Sequence, residues 1–328
     1  MSIQETNLKA IADAIRAKTG LTGTIKASEF ASKIAAISTG VAKPGWKKID
    51  LPAVASWSSI CYGNGKFVAV STSDDTLTLY STDGINWHFY SLPVTASWSS
   101  VCYGNGKFVA VANDTAYAAY STDGTHWTQA TLPGSRSWYS VCYGNGKFVA
   151  VCAGALLPAY STDGISWTSA RMPVTAFWNS VCYGNGKFVA VASQSTKAAY
   201  STDGINWAQS TLPETVDWSS VCYGNDKFVA VSKGPSNVAA YSTDGINWTK
   251  TTLPTSTSWY SVCYGNGKFV VVDYQDAIAA YSTDGVNWAQ STLPESTYWR
   301  SVCYGDGKFV TLKSSRAAYL KDSFDEWA

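Results

Sequence analysis

The decapeptide CYGNGKFVAV, which begins at Cys61, returns with small changes at Cys102, Cys142, Cys182, Cys222, Cys263 and Cys303, every 40 or 41 residues. A fixed period of that length marks one supersecondary unit copied along the chain, each copy burying its apolar surface against its neighbours. A second motif, YSTDGxxW, lies between the copies and starts at Tyr80, Tyr120, Tyr160, Tyr200, Tyr241 and Tyr281. All fifteen tryptophans fall at two places in the unit. Trp57, Trp98, Trp138, Trp178, Trp218, Trp259 and Trp299 precede each cysteine; Trp46, Trp87, Trp127, Trp167, Trp207, Trp248, Trp288 and Trp327 follow the aspartate turn or its equivalent.

Each unit reads as four strands. WSSICY and KFVAV flank Asn64-Gly65, the dipeptide of a tight hairpin. TLTLYS follows, and the Asp83-Gly84 turn leads into a fourth strand from Trp87 that Pro93 is expected to end. Apolar or small residues on both faces of the first two strands suit a sheet stacked between two others. The expected fold is all-β: a seven-bladed β-propeller of four-stranded blades, residues 46–328. The seventh unit runs out before its fourth strand, whereas Trp46 to Pro52 has the frame of a fourth strand with no preceding three. Residues 46–52 are therefore expected to close the ring by pairing near Ala317 to Tyr319.

Residues 1–38 lie outside the period and read as a small two-helix module ahead of the propeller. Leu8, Ile11 and Ile15 share a face before Gly20, and Ser28 can cap a second helix carrying Phe30, Ile34 and Ile37. So small a module is expected to attach to another chain or to itself, with residues 39–45 as linker. No stretch has the apolar run of a secretion signal or a membrane span, so a soluble chain without membrane insertion is expected. Lys and Arg total 24 against 23 acids, which leaves no overall field to draw nucleic acid.

YSTDGINW resembles the Asp-box, or BNR-type, repeat of sialidases, sortilin-like receptors and other propellers, and the likeness covers residues 44–328. Ser81, Asp83, Gly84 and Trp87 match the motif, with one residue fewer between aspartate and tryptophan than in the commoner form. The last copy, Tyr319 to Trp327, keeps only the aspartate and tryptophan. The resemblance implies a structural turn whose carboxylate accepts N–H bonds locally. Asp83, Asp123, Asp163, Asp203, Asp244 and Asp284 are therefore not expected to touch a ligand or metal. The segments NLKAIADAIRAKTG and TIKASEFASKIAAI resemble a short N-terminal module of tail-associated proteins of phages and prophages of Firmicutes. That implies synthesis in a bacterial cytoplasm, a place in the virion tail, and attachment through residues 1–38 to other tail proteins or to a second copy.

Sialidase chemistry calls for three arginines on the substrate carboxylate, a tyrosine with its carboxylate partner and an acidic donor. The chain has Arg16, Arg136, Arg171, Arg300 and Arg316 only, none in an arginine-isoleucine-proline context. The expectation is that the chain is not an enzyme and uses no cofactor or metal. Seven of its eight cysteines share one strand position, too far apart around a ring to bridge, so free thiols are expected. His88 and His126 read as surface groups.

Two connections vary while the rest of the unit is constant. From fourth strand to next blade the chain reads PAVASWS, PVTASWS, PGSRSWY, PVTAFWN, PETVDWS, PTSTSWY and PESTYWR, and the second-to-third connections differ as freely. Both emerge on one side of a propeller, opposite the uniform hairpins and aspartate turns. The variable residues are those of adaptable binding surfaces. A ligand site is expected at Tyr139, Asn179, Tyr260 and Arg300, which follow the first-strand tryptophan where three other blades carry serine. Arg136, Phe177, Asp217 and Tyr298 flank it, and the loops around Asp114, Tyr117, Tyr274 and Gln275 are the other location on that face. Aromatic faces beside hydrogen-bonding groups suit sugar rings. The expected function is a receptor-binding, lectin-like adhesin for a cell-surface glycan or other surface receptor; a glycan-degrading propeller and a purely structural tail or scaffold protein are the alternatives.

Overall fold

The computed structural model describes residues 45–321 apart from 155 and 297, and every helix or strand among them is a strand. The first unit forms antiparallel strands Trp57–Gly63, Lys66–Ser71, Asp75–Ser81 and His88–Ala96, paired in that order. Asn64 and Gly65 take φ of 47° and 71°, the left-handed pair that a two-residue hairpin requires. Later units repeat the plan. One sheet has seven strands because Ala208–Gly224 runs unbroken from the outer edge of the fourth blade into the inner strand of the fifth. The first strands pack on one another in a closed circle around the axis, the last against the first, which makes seven blades.

The core lies between blades. Trp57, Ile60, Phe67 and Trp87 meet Cys303, Val310 and Leu312 of the seventh blade, while Cys61, Val68, Val70 and Tyr80 on the other face meet Trp98, Val101 and Phe108. Both faces of the sheet are thus buried, as the residue pattern requires. Each first strand ends in a glycine beneath the next blade's tyrosine: a Cβ on Gly63 would lie 2.0 Å from the Tyr103 ring, and one on Gly305 2.1 Å from Tyr62. A serine two residues after each first-strand tryptophan adds a polar stitch. Ser59 accepts from the Val101 N–H and Ser301 from that of Ile60, both at 3.1 Å, and the other five blades repeat the bond.

Ring closure is as the sequence indicated. Lys47–Asp50 pairs antiparallel with Arg316–Lys321, Lys47 opposite Tyr319 and Ile49 opposite Ala317. Glu295 receives both Lys48 and Lys313, the latter at 2.8 Å, and Arg316 pairs with Asp50 at 2.8 Å. Lys313, then Lys48, holds the Glu295 carboxyl down at about 2. One expectation fails, because Pro93 does not end its strand. His88–Ala96 continues past it, and Asp75 pairs with Ala96 although Leu77 pairs with Ser91. The fourth strand is the outer edge and bulges there, so the N–H that proline lacks has no ladder partner to lose. The helices expected in residues 1–38, the linker up to residue 44 and the last turn, at residues 322–328, lie outside the described residues.

The aspartate turns are closed by their own side chains. The Ser81 hydroxyl donates to Asp83 Oδ1 at 3.0 Å and accepts from the Gly84 N–H; Oδ1 also accepts from the Ile85 and Asn86 N–H groups at 2.8 Å. Desolvation raises the Asp83 pKa, but the N–H groups of Asn86 and Ile85 outweigh it and hold the carboxyl well below the usual range. Asp163, Asp203, Asp244 and Asp284 are lowered in the same way, and at Asp123 desolvation is overcome first by the His126 side chain and then by the N–H groups of His126 and Thr125. A carboxyl with a depressed folded-state pKa contributes stability that is complete above its unfolded value, about 3.9, and is lost as pH falls below it. The melting temperature is therefore expected to stay level from neutral pH to about 5 and to drop steeply below about 4. A level melting temperature down to pH 3 in a calorimetric series would contradict this account of the turns.

Candidate functional site

The two varied connections emerge together, and the residue after each first-strand tryptophan lines a shared well of about 190 Å³ at the axis. Tyr139, Asn179, Tyr260 and Arg300 all reach it, beside Ser58, Ser99 and Ser219. The three serines donate to the tryptophan carbonyl of the next blade at 2.6, 2.5 and 2.8 Å, and the Asn179 amide reaches Trp218 O at 3.2 Å in the same way. Those four positions stitch the ring, whereas Tyr139, Tyr260 and Arg300 put larger groups into the well. The connections are fixed from beneath: the indole N–H of Trp98, Trp138, Trp218, Trp259 and Trp299 donates to the carbonyl four residues earlier. The frame stays constant while its side chains vary.

The densest chemistry lies where the sixth and seventh blades meet. Tyr260 stacks on Tyr274 with centroids 5.2 Å apart and planes at 27°, and Tyr298 meets Tyr274 edge-on at 5.2 Å. The Arg300 guanidinium lies 5.5 Å over Tyr274 and donates to its hydroxyl at 3.3 Å and to Thr72 at 3.4 Å. Tyr274, which the sequence assigned to the other location on this face, thus belongs to the same cluster. Asp273 holds its loop: the buried carboxylate accepts from the Thr257 hydroxyl and the Gln275 N–H, both at 2.9 Å, and from the Asp276 N–H. Tyr298 sits at φ 68°, a strained conformation for an aromatic residue, and its N–H donates to Tyr274 O at 2.6 Å. Burial raises the Tyr260 hydroxyl pKa, with Arg300 opposing it.

The flanking residues divide. Phe177 and Tyr298 are 60% and 53% exposed and line hollows beside the well, Phe177 with Tyr139 and Asn179, Tyr298 with Tyr274 and Arg300. Asp217 accepts from the Ser193 hydroxyl at 2.6 Å. Arg136, the last residue of the second blade's fourth strand, lies over the Trp138 ring of the third blade at 5.7 Å and does not line the well. Sequence reading missed Lys233, Lys197 and Gln194, which line the neighbouring hollows from the second-to-third connections of the fifth and fourth blades. It also missed the second serine ring, although serine two residues after tryptophan in every unit was its signal.

The arrangement can stack a ring on aromatic faces, hydrogen-bond its hydroxyls and place a cation beside it. The eight cysteines carry free thiols. Burial, then neighbouring thiols around the axis, pushes Cys142 and Cys222 well above the ordinary value, and burial brings Cys152 to about 11, so they stay protonated and poorly nucleophilic. Among the described residues no group of three potential metal-binding side chains comes together.

No protein-family model and no curated protein matches the chain. Solved structures do. The virginiamycin B lyase of Staphylococcus aureus superposes with a TM-score of 0.77 at 13% identity, covering 84% of this chain and 98% of its own. A streptogramin B lyase gives 0.74 at 13% identity over 84% and 96%. YCF48, bound to D1 peptide, gives 0.68 at 15% over 87% and 99%. Identities this low establish the propeller fold alone. They also correct the expectation that the chain is not an enzyme: propellers of this shape include lyases, so lacking the sialidase constellation does not set catalysis aside.

Proposed function

We propose that the chain is a receptor-binding propeller of a phage or prophage tail, recognising a cell-surface glycan through its variable face and attached by residues 1–38 to other tail proteins or a second copy. The observation that carries this reading is the Tyr260–Tyr274–Tyr298 cluster with Arg300 at the mouth of a serine-lined well. It stands where the units diverge, while the serine–aspartate–glycine turns are closed on themselves, which supports the Asp-box resemblance and a structural role for them. That YCF48 is seen with a peptide bound supports a propeller that holds another molecule.

A glycan-array screen of the intact chain, followed by a four-site change of Tyr139, Asn179, Tyr260 and Arg300 to serine, tests it. Each stacking tyrosine removed is expected to lose about 1–3 kcal/mol of binding, enough together to abolish the array signal. The fold is expected to hold, since serine fills the same position in three other blades. Undiminished binding by a normally melting variant would contradict the reading, and assaying the array hits for released reducing sugar decides between holding and cleaving the glycan.

A further inference from the structure

The hollows on the variable face adjoin one another through shared walls. One lined by Tyr274 and Tyr298 shares Arg300 with the central well; the well shares Tyr139 and Asn179 with a third, which shares Phe177, Ser193 and Gln194 with a fourth. Together they form a track from the junction of the sixth and seventh blades, across the axis, to the fourth blade. A compact sugar would fill one hollow and leave the others empty.

The charge along that track is one-sided. Arg300, Lys233 and Lys197 line it, and no carboxylate lines any of the four hollows. Apart from the exposed Asp74, acids on the same loops are engaged within the protein: Asp75 by Ser71 and the Leu77 N–H, Asp114 by Ser137, Asp217 by Ser193, Asp273 and Asp276 by Thr257. None of the three cations has a carboxylate partner among the described residues. Lys197 donates to Thr175 O at 3.1 Å and Lys233 lies 6.0 Å over the Tyr260 ring. A chain of net charge +1 has gathered unneutralised cations here, interleaved with Tyr298, Tyr274, Tyr139 and Phe177.

We propose that the track binds a linear polysaccharide carrying repeated carboxylates, its rings on the aromatic side chains and its charges at Arg300, Lys233 and Lys197; this rests on the glycan-binding reading above. A single-stranded nucleic acid also combines rings and charge, but it brings a phosphate with every base, and three cations neutralise too few of them. The serine hydroxyls of the well suit sugar hydroxyls instead.

The test is titration of the full chain with galacturonate, alginate and hyaluronate oligomers of increasing length, the methyl esters of the galacturonate series, and a short oligothymidylate. Affinity for an acidic chain is expected to rise from monomer to tetramer, one ring per hollow, and to fall as salt is raised. The uncharged ester is expected to bind at least about tenfold more weakly. A triple variant, Arg300→Gln, Lys233→Gln and Lys197→Gln, should bind acid and ester alike and lose the salt dependence. A monomer as tight as the tetramer, an ester as tight as the acid, tighter binding of the oligonucleotide, or no binding of any acidic chain would overturn the proposal. Array hits confined to neutral glycans would overturn it while leaving the glycan-binding reading standing; no glycan hit at all removes both. The length and salt series need no variant, so they decide the matter even if the triple change fails to fold.

Discussion

A chain that begins after Pro52 is expected to lose its cooperative melt, whereas one that begins at Gly45 keeps it. Trp46 is buried, and Ile49 and Leu51 pack against the core of the first and seventh blades. Full burial of one such side chain contributes about 1.5–3 kcal/mol, and the half-buried Ile49 and Leu51 add less each. Their sum is a large share of the whole stability of an ordinary domain, about 5–15 kcal/mol. The longer deletion also strips Arg316–Lys321 of its partner and leaves a bare sheet edge, which invites aggregation. Differential scanning calorimetry of the two truncations checks this. Equal melting temperatures would show that the strand closes nothing, and loss of the transition in the shorter deletion would show that the ring depends on residues ahead of Gly45.

The second large effect is expected from one methyl group. A Cβ on Gly144 would lie 2.0 Å from Cγ of Tyr183, at the root of the ring where the side chain cannot swing aside. Relief requires two first strands to separate on the axis, where the Val181 N–H to Ser140 bond also joins them. Overpacking of a tight core costs about 1–3 kcal/mol, and Gly144→Ala is expected to reach or exceed the top of that range by chemical denaturation. Adding Tyr183→Ala should recover part of the loss, because it removes the atoms struck. Gly146→Ala serves as the control, since nothing stands within 4 Å of its Cβ position; it is expected to cost less, through its φ of 73° alone. A Gly144→Ala protein as stable as the parent would mean that the ring packs differently.

The fold was legible because a repeat shows its constraints seven times over. Asn64-Gly65 announced the hairpin, and the orphan frame at Trp46 announced the closure down to its partners near Ala317. What stayed hidden depended on contacts between units rather than within them. Gly63 looks like one more turn residue until Tyr103 is seen above it, and Ser59 like a strand filler until it takes the Val101 N–H. Pro93 was misread because the rule that proline ends a ladder assumes a partner for its missing N–H, and at the bulge of an outer strand that position has none. At the site, divergence from the repeat picked out Tyr139, Asn179, Tyr260 and Arg300. It set Tyr274 apart, since only three dimensions bring a second-to-third loop beside the next blade's Arg300. Arg136 shows the opposite limit, being variable in sequence yet laid over the next blade's Trp138 rather than in the well.

A crystal structure of the full chain with its tightest array ligand tests the central claim most directly. Ligand density in the axial well, with a sugar ring against Tyr274 or Tyr298 and a polar group at Arg300, is the predicted result. Density on the hairpin and aspartate-turn side, or along the outer fourth strands, would contradict it.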